Sequence, residues 1–278
     1  PEKIDFDLTL QDGPFRLTDK PDLAVDARYL FGAVGADLAL EGEVKLSASR
    51  ELDGFKGYRF GEADSRFSTR FKSIPADQTD ASGKVRLKLS LPQVESVSKP
   101  LEMQAVIRLR DGSGRPVERS VSTPVLPGVP MIGIKPKFEG NVAEGSEAAF
   151  DIVAVDANGP RMEMAGVTWV LNRLHRRYQW YQQYGNWSYE PTTRRERVAS
   201  GSVDVSASAL TQVAAAVEYG AYELKLVHKG AVLASSSSKF YAGWYASGGA
   251  DDTPDLLDVA LNKPSYAVGE QAILRVES

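Results

Sequence analysis

No cysteine occurs among the 278 residues. Its absence excludes disulfides, thiolate metal sites and a cysteine nucleophile within this stretch. Histidine is almost as scarce, with only His175 and His228. Neither lies near a Gly-x-Ser-x-Gly elbow or a partner at metal-ligand spacing, so each reads as a strand-edge or hydrogen-bonded residue. The carboxylates Asp251, Asp252, Glu62 and Asp64 sit in loops without the ligand spacing that calcium needs. Catalytic residues, metal ligands and cofactor-binding residues are therefore expected to be none. No apolar run approaches the ~20 residues that span a bilayer, and direct membrane insertion is not expected. The first residues, Pro1-Glu2-Lys3-Ile4-Asp5, look nothing like a signal peptide, so an exported parent would have had its leader removed. Charge of one sign is missing too. With 33 basic and 37 acidic residues the net charge is −4, which gives no global field to draw in nucleic acid or an anionic membrane.

What the chain does have is period-two alternation, which dominates over helical periodicity. Phe6, Leu8 and Leu10 alternate before the turn signal Asp12-Gly13-Pro14. Val25, Ala27 and Tyr29 share a face, as do Leu38, Leu40, Val44 and Leu46. Val85, Leu87, Leu89 and Leu91 alternate up to Pro92; Leu101 through Leu109 do the same up to the hairpin-type loop Asp111-Gly112-Ser113-Gly114. Short, evenly spaced strands with one apolar face predict an all-β chain of tandem antiparallel β-sandwich domains.

Pro124-Val-Leu-Pro-Gly-Val-Pro130 marks the best boundary, since three prolines and a glycine deny donors and disfavour continued pairing. The expected domains are 1–128 and 129–247, followed by a linker and the opening strands of a third domain over 248–278. In the second domain Val167, Trp169 and Leu171 point one way, Val203 and Val205 mark a short strand around Gly201–Val205, and Tyr222, Leu224 and Leu226 alternate. Ala209–Glu218 is ambiguous, because Ala214, Ala215 and Ala216 would suit a short helix. Ser235–Ser238 reads as a polar strand at a sandwich edge. The last residues offer strand, turn and strand through Val259, Leu261, Leu274 and Val276. Two strands are marginal alone, so the polypeptide is expected to be part of something longer.

Three stretches carry a family resemblance. Asp26-Ala-Arg-Tyr-Leu-Phe-Gly-Ala with Asp37-Leu-Ala-Leu-Glu-Gly-Glu-Val44, followed by Gly57-Tyr-Arg-Phe-Gly61, resembles a strand pair of bacterial alpha-2-macroglobulins. Trp169–Trp180 with Gly185-Asn-Trp187 is similar to the aromatic hairpin of a later domain in that family. Lys263-Pro264-x-Tyr266-x-x-Gly-Glu is similar to its recurrent domain opening. The resemblance implies the fifth and sixth macroglobulin-like domains of a periplasmic protease inhibitor. Such a parent, which could be an inner-membrane lipoprotein, traps proteases after a bait segment is cut. In it this stretch would be a structural scaffold that does no chemistry. The partners implied are target proteases, reached through the full-length parent, and neighbouring domains of the same chain. Many members carry a thioester made from cysteine and glutamine, which this stretch cannot hold.

One segment concentrates recognition chemistry. Arg173–Arg197 interleaves six arginines with Tyr178, Trp180, Tyr181, Tyr184, Trp187 and Tyr189. Its plain reading is a long twisted hairpin with Gly185-Asn186 near the tip, aromatics paired across strands and arginines lying over rings. Trp, Tyr and Arg are also enriched in protein interfaces. Arg176, Tyr178, Trp180, Tyr184 and Trp187 are therefore the candidate interface residues. The rival reading is a protein- or carbohydrate-binding module that uses this hairpin as its contact surface. Nucleic acid is disfavoured by the missing positive charge. Arg28 and Tyr29 are read as strand residues, with the Tyr29 hydroxyl at the rim.

Overall fold

The computed structural model describes residues 3–49, 51–95, 97–110, 116–183, 185–230, 232–243, 245–246, 258–261, 263 and 265–277. Among them there are 19 strands and no helix. The loop 111–114, Tyr184, the linker 248–254 and Pro264, all invoked above, lie outside the described residues. The chain divides into two compact units: 1–131 with 155–160, and 132–154 with 161–278.

The first unit contains β1 (Ile4–Leu10), β2 (Phe15–Arg16), β3 (Asp22–Tyr29), β4 (Ala39–Ala48), β5 (Arg59–Phe60), β6 (Arg70–Gln78), β7 (Lys84–Lys88), β8 (Leu101–Arg110) and β9 (Val117–Leu126). Two sheets form, in the orders β1-β3-β7 and β2-β9-β8-β4-β6. Alternation explains the burial. In β8, Leu101, Met103, Ala105, Ile107 and Leu109 point inward and are fully enclosed, while the residues between them are partly or fully exposed. Phe6, Leu23, Val25 and Leu46 meet them in one core. Outside that core, Arg28 Nη1 donates to Asp7 at 2.7 Å and Nη2 to Asp5 at 3.3 Å on the neighbouring strand, and Tyr29 stacks on Phe31.

Two expectations need correction here. Pro124 lies inside β9, opposite Glu102, rather than in a connecting segment. β2 covers β9 only at Val125 and Leu126, so a missing donor at Pro124 faces an otherwise open side of the strand. The alternation Val85–Leu91 is strand only to Lys88, and Leu89 and Leu91 reach the core from non-strand backbone.

The second unit contains β10 (Met131–Pro136), β11 (Ser146–Val155), β12 (Met164–Gln183), β13 (Asn186–Val205), β14 (Thr211–Val217), β15 (Gly220–Lys229) and β16 (Leu233–Ala242). Strands β14, β11 and β10 lie side by side, and β13-β12-β15-β16 form the second sheet. Phe150, Val167, Leu171, Tyr222, Leu224 and Leu226 fill the space between them. The ambiguous segment is strand β14. Thr211, Val213 and Val217 point inward, and Ala214, Ala215 and Ala216 pair with Ala149, Ala148 and Glu147, so pairing overrides helix propensity. Ser235–Ser238 lies in the edge strand β16 but is buried, with the Ser236 hydroxyl donating to the Ile132 carbonyl.

Three short strands follow: β17 (Tyr245–Ala246), β18 (Asp258–Leu261) and β19 (Leu274–Glu277), paired in that order. The Lys-Pro-x-Tyr-x-x-Gly-Glu stretch explains itself locally. Lys263 Nζ pairs with Glu270, whose other carboxylate oxygen accepts the Ala267 N–H at 3.0 Å. The Tyr266 hydroxyl accepts the Lys263 N–H at 3.2 Å, and Gly269 takes the positive φ of +89° that a side chain resists.

Two predictions come from these units. Leu261, Leu274 and Val276 are 37%, 56% and 52% exposed, so the apolar side chains described in β18 and β19 are not enclosed in a core. Their amides should exchange at a far lower opening free energy than those of Ile107 or Leu224; equal protection would contradict this. The second concerns the β6–β7 turn, where Asp80 Oδ1 accepts from the Ser82 hydroxyl at 2.6 Å, the Ser82 N–H at 2.7 Å and the Lys84 N–H at 3.0 Å. These bonds, the hydroxyl first, hold its pKa below the ordinary aspartate value. A depressed folded pKa adds stability that is present above the unfolded value and lost as pH falls through the folded one. Asp80→Asn should therefore flatten the acid side of the stability profile, as read from urea midpoints between about pH 2 and 6.

A candidate interface on the aromatic hairpin

Strands β12 and β13 are each 20 residues long. β15 accompanies β12 only from Thr168 to Leu174. From His175 and Arg194 to the tip, the sheet is therefore a two-stranded arm. At about 3.3 Å per residue, its nine rungs extend roughly 30 Å. The expected short strand at Gly201–Val205 is instead the last quarter of β13. No apolar period marks its outer part, because both faces meet solvent; the long hairpin expected there from the interleaved aromatics and the Gly185-Asn186 tip is present.

The base of the arm is held by charge. Arg195 Nε donates to Glu223 Oε2 at 2.8 Å, and the Glu223 side chain is only 5% exposed. The Ser237 hydroxyl reaches the other Glu223 oxygen at 3.4 Å. A buried carboxylate held this way would be costly to leave unpaired. Arg173 donates to the Tyr219 carbonyl. His175 Nε2 lies 2.8 Å from Glu196 Oε2, so this histidine is a hydrogen-bonded strand residue. Among the described residues no three His, Asp or Glu side chains come together in a way that could hold a metal ion.

Register sorts the arm into two faces. Arg176, Tyr178, Trp180 and Gln182 alternate to one side and stand opposite Thr193, Pro191, Tyr189 and Trp187. Four of the five candidate residues, Arg176, Tyr178, Trp180 and Trp187, therefore share a face, because directly paired residues point the same way. Tyr184 is outside the described residues, and for Tyr178 only the backbone is described. The other face carries His175, Arg177, Gln179 and Tyr181 opposite Arg194, Thr192, Glu190 and Ser188. Trp180 meets Tyr189 edge-on at 5.4 Å between ring centroids. Trp180 is nevertheless 49% exposed and Trp187 68%. Trp169 lies nearer the base and packs against the core.

A break in the register makes this sorting possible. Leu171 pairs with Ala199 but Asn172 pairs with Arg197, so Val198 is an extra residue on β13. Below it, Gly201 faces Trp169 so closely that an added Cβ would sit 2.8 Å from the indole nitrogen.

Comparison with known proteins places the two units. Residues 2–127 match the family model described as "Bacterial Alpha-2-macroglobulin MG5 domain", and residues 133–244 match "Bacterial macroglobulin domain 6". An alpha-2-macroglobulin of Xylella fastidiosa is 28% identical, with 97% of this chain and 17% of that protein covered. The crystal structure of Salmonella alpha-2-macroglobulin reacted with methylamine aligns with a TM-score of 0.70 at 26% identity, over 100% of this chain and 18% of that one. Escherichia coli alpha-2-macroglobulin activated by porcine elastase aligns with a TM-score of 0.67 at 29% identity, over 94% and 23%. The chain thus spans less than a quarter of the length of each.

Exposure sets the expected cost of truncating each tryptophan. Trp169→Ala should destabilise by about 3 kcal/mol. Trp180→Ala, which loses its edge contact with Tyr189, should cost about 1 kcal/mol, and Trp187→Ala under about 0.5 kcal/mol. Arg195→Ala should resemble Trp169→Ala at on the order of 3 kcal/mol, since it strands the Glu223 carboxylate. Denaturant midpoints for the four variants check this ranking, and a Trp187 loss equal to that of Trp169 would refute it.

Proposed function

The chain belongs to the bacterial alpha-2-macroglobulin family, and from that premise we propose that it is a scaffold segment of a periplasmic, broad-spectrum protease trap. In this reading the two sandwiches hold neighbouring domains of the parent in register, and the hairpin arm docks against one of those domains. The observation that carries the reading is the placement of two consecutive family domains over residues 2–127 and 133–244. That a related protein is activated by porcine elastase supports proteases as partners of the parent. The chemistry of capture would then lie elsewhere in the parent, since this stretch has no cysteine to form a thioester.

The exposure of Trp180 and Trp187 suits such docking. An aromatic face left half or more open by its own domain is what an interface would cover. The same exposure favours a second reading, in which the arm binds a separate protein or a carbohydrate.

One experiment separates them. The double variant Trp180→Ala/Trp187→Ala is made both in this chain and in the full-length parent. Docking within the parent predicts a fall in melting temperature of several degrees there, several times that in the isolated chain, with weaker protection of a large substrate from attack by elastase. Equal effects in both, with loss of glycan or peptide binding, would favour the second reading. The isolated chain should leave large and small elastase substrates equally open to cleavage; selective protection of the large substrate would overturn the scaffold proposal.

A further inference from the structure

The outer edge of β13 raises a separate question. β13 ends its sheet among the described residues, so its main chain on that side has no strand partner. Edge strands are normally guarded by charge, proline or cover. The edge strand β6 carries Arg70, Lys72, Pro75 and Asp77, and the serines of the edge strand β16 are buried. From Ala199 to Val203 β13 reads Ala-Ser-Gly-Ser-Val, with neither charge nor proline. Ser200, Gly201 and Ser202 are exposed, and Ala199 and Val203 are half-buried.

This strip is also held in place before anything binds. Its inner side is paired with Val167–Leu171 of β12, which β15 flanks from Thr168 onward. The Trp169 indole backs Gly201, and the Asp204 carboxylate accepts the Gly166 N–H at 2.7 Å just below. Small side chains leave room for another backbone to approach. Pre-ordering lowers the entropy lost on pairing.

Charge at the upper end selects the occupant. Residues 173–197 hold six arginines and two glutamates, a net of +4 in a chain of net −4, which leaves −8 for the remainder. Arg195 is engaged by Glu223 and Arg173 by the Tyr219 carbonyl, whereas Arg194 and Arg197 are exposed at the head of the strip. The Val198 bulge turns the strand just above the strip, so regular pairing stops there and the arginines stand beyond its end.

We propose that the Ala199–Val203 edge of β13 accepts an extended peptide segment as an added antiparallel strand, with carboxylates at the C-terminal end of that segment lying against Arg194 and Arg197. Antiparallel pairing places the incoming C-terminus at the arginine end, since β13 runs from Arg194 towards Val203. Main-chain bonds would supply affinity and the arginines orientation. The inference stands on this edge alone and holds whether or not the arm docks within a parent.

The test uses the 278-residue chain and a fluorescein-labelled octapeptide of alternating threonine and valine ending in two glutamates. The expected result is saturable one-to-one binding by anisotropy, with slower amide exchange confined to Ala199–Val203. Moving the glutamates to the N-terminus, or making Arg194→Ala/Arg197→Ala, should weaken binding about fivefold. A peptide N-methylated on alternate amides along its pairing edge should not bind, a control that leaves the protein unaltered. The proposal is overturned if the methylated peptide binds equally well or if exchange at Ala199–Val203 does not slow. It is equally overturned if protection there rises with protein concentration alone, which would mean that a second copy occupies the edge.

Discussion

Every strand carries main-chain donors and acceptors along both edges, and an all-β chain has to satisfy all of them without the self-sufficiency of a helix. That constraint organises this molecule. Interior strands satisfy it by pairing, as β8 does between β4 and β9. The edge strand β16 is enclosed, and the Ser236 hydroxyl bonds to the Ile132 carbonyl. β6 leaves its edge to water under a cover of charged side chains. The hairpin arm is where the constraint is met least completely: β15 stops at Leu174 of its neighbour, and the two long strands continue with only each other.

The cost of that extension falls on its base. Where four strands narrow to two, Arg195 spans to the enclosed Glu223 carboxylate, and Arg173 reaches the Tyr219 carbonyl. These contacts tie the arm to β15 and to the turn before it. Beyond them the arm depends on cross-strand pairs such as Trp180 with Tyr189, each contributing about 0.2–1 kcal/mol. A segment built this way contributes little to the stability of its own domain and offers its surface to something else.

How much of this was legible in the residues depends on burial. Strands with one enclosed face, such as Leu101–Leu109 and Tyr222–Leu226, announce themselves by alternation. β6 and the outer part of β13 do not, since side chains that meet water on both sides are free of periodic selection. Ala214–Ala216 left their segment ambiguous because helix propensity is a property of the isolated chain, and pairing with β11 overrides it. Arg176, Tyr178, Trp180 and Trp187 could be picked out by composition alone. That they share a face could not, because the partner of each residue depends on the register of the opposite strand. The pairing of Arg195 with Glu223, 28 positions away, had no local signal either.

That register turns on Val198. Below it the odd-numbered residues of β13, Ala199, Gly201 and Val203, stand opposite Leu171, Trp169 and Val167 on the core side. Above it the odd-numbered residues Trp187, Tyr189 and Pro191 stand opposite Gln182, Trp180 and Tyr178, on the side away from the core. Val198 stands outside the ladder, so Arg197 follows Ala199 in pairing order and every rung above keeps the partner, and hence the face, of an unbroken ribbon. Loss of Val198 would leave Trp187 opposite Gln182 and Tyr189 opposite Trp180. Its forced entry into the ladder would instead slip the register by one and turn the aromatics to the other face. The bulge is thus a shock absorber, letting the strand carry one residue more than its partner without re-sorting the surface above it.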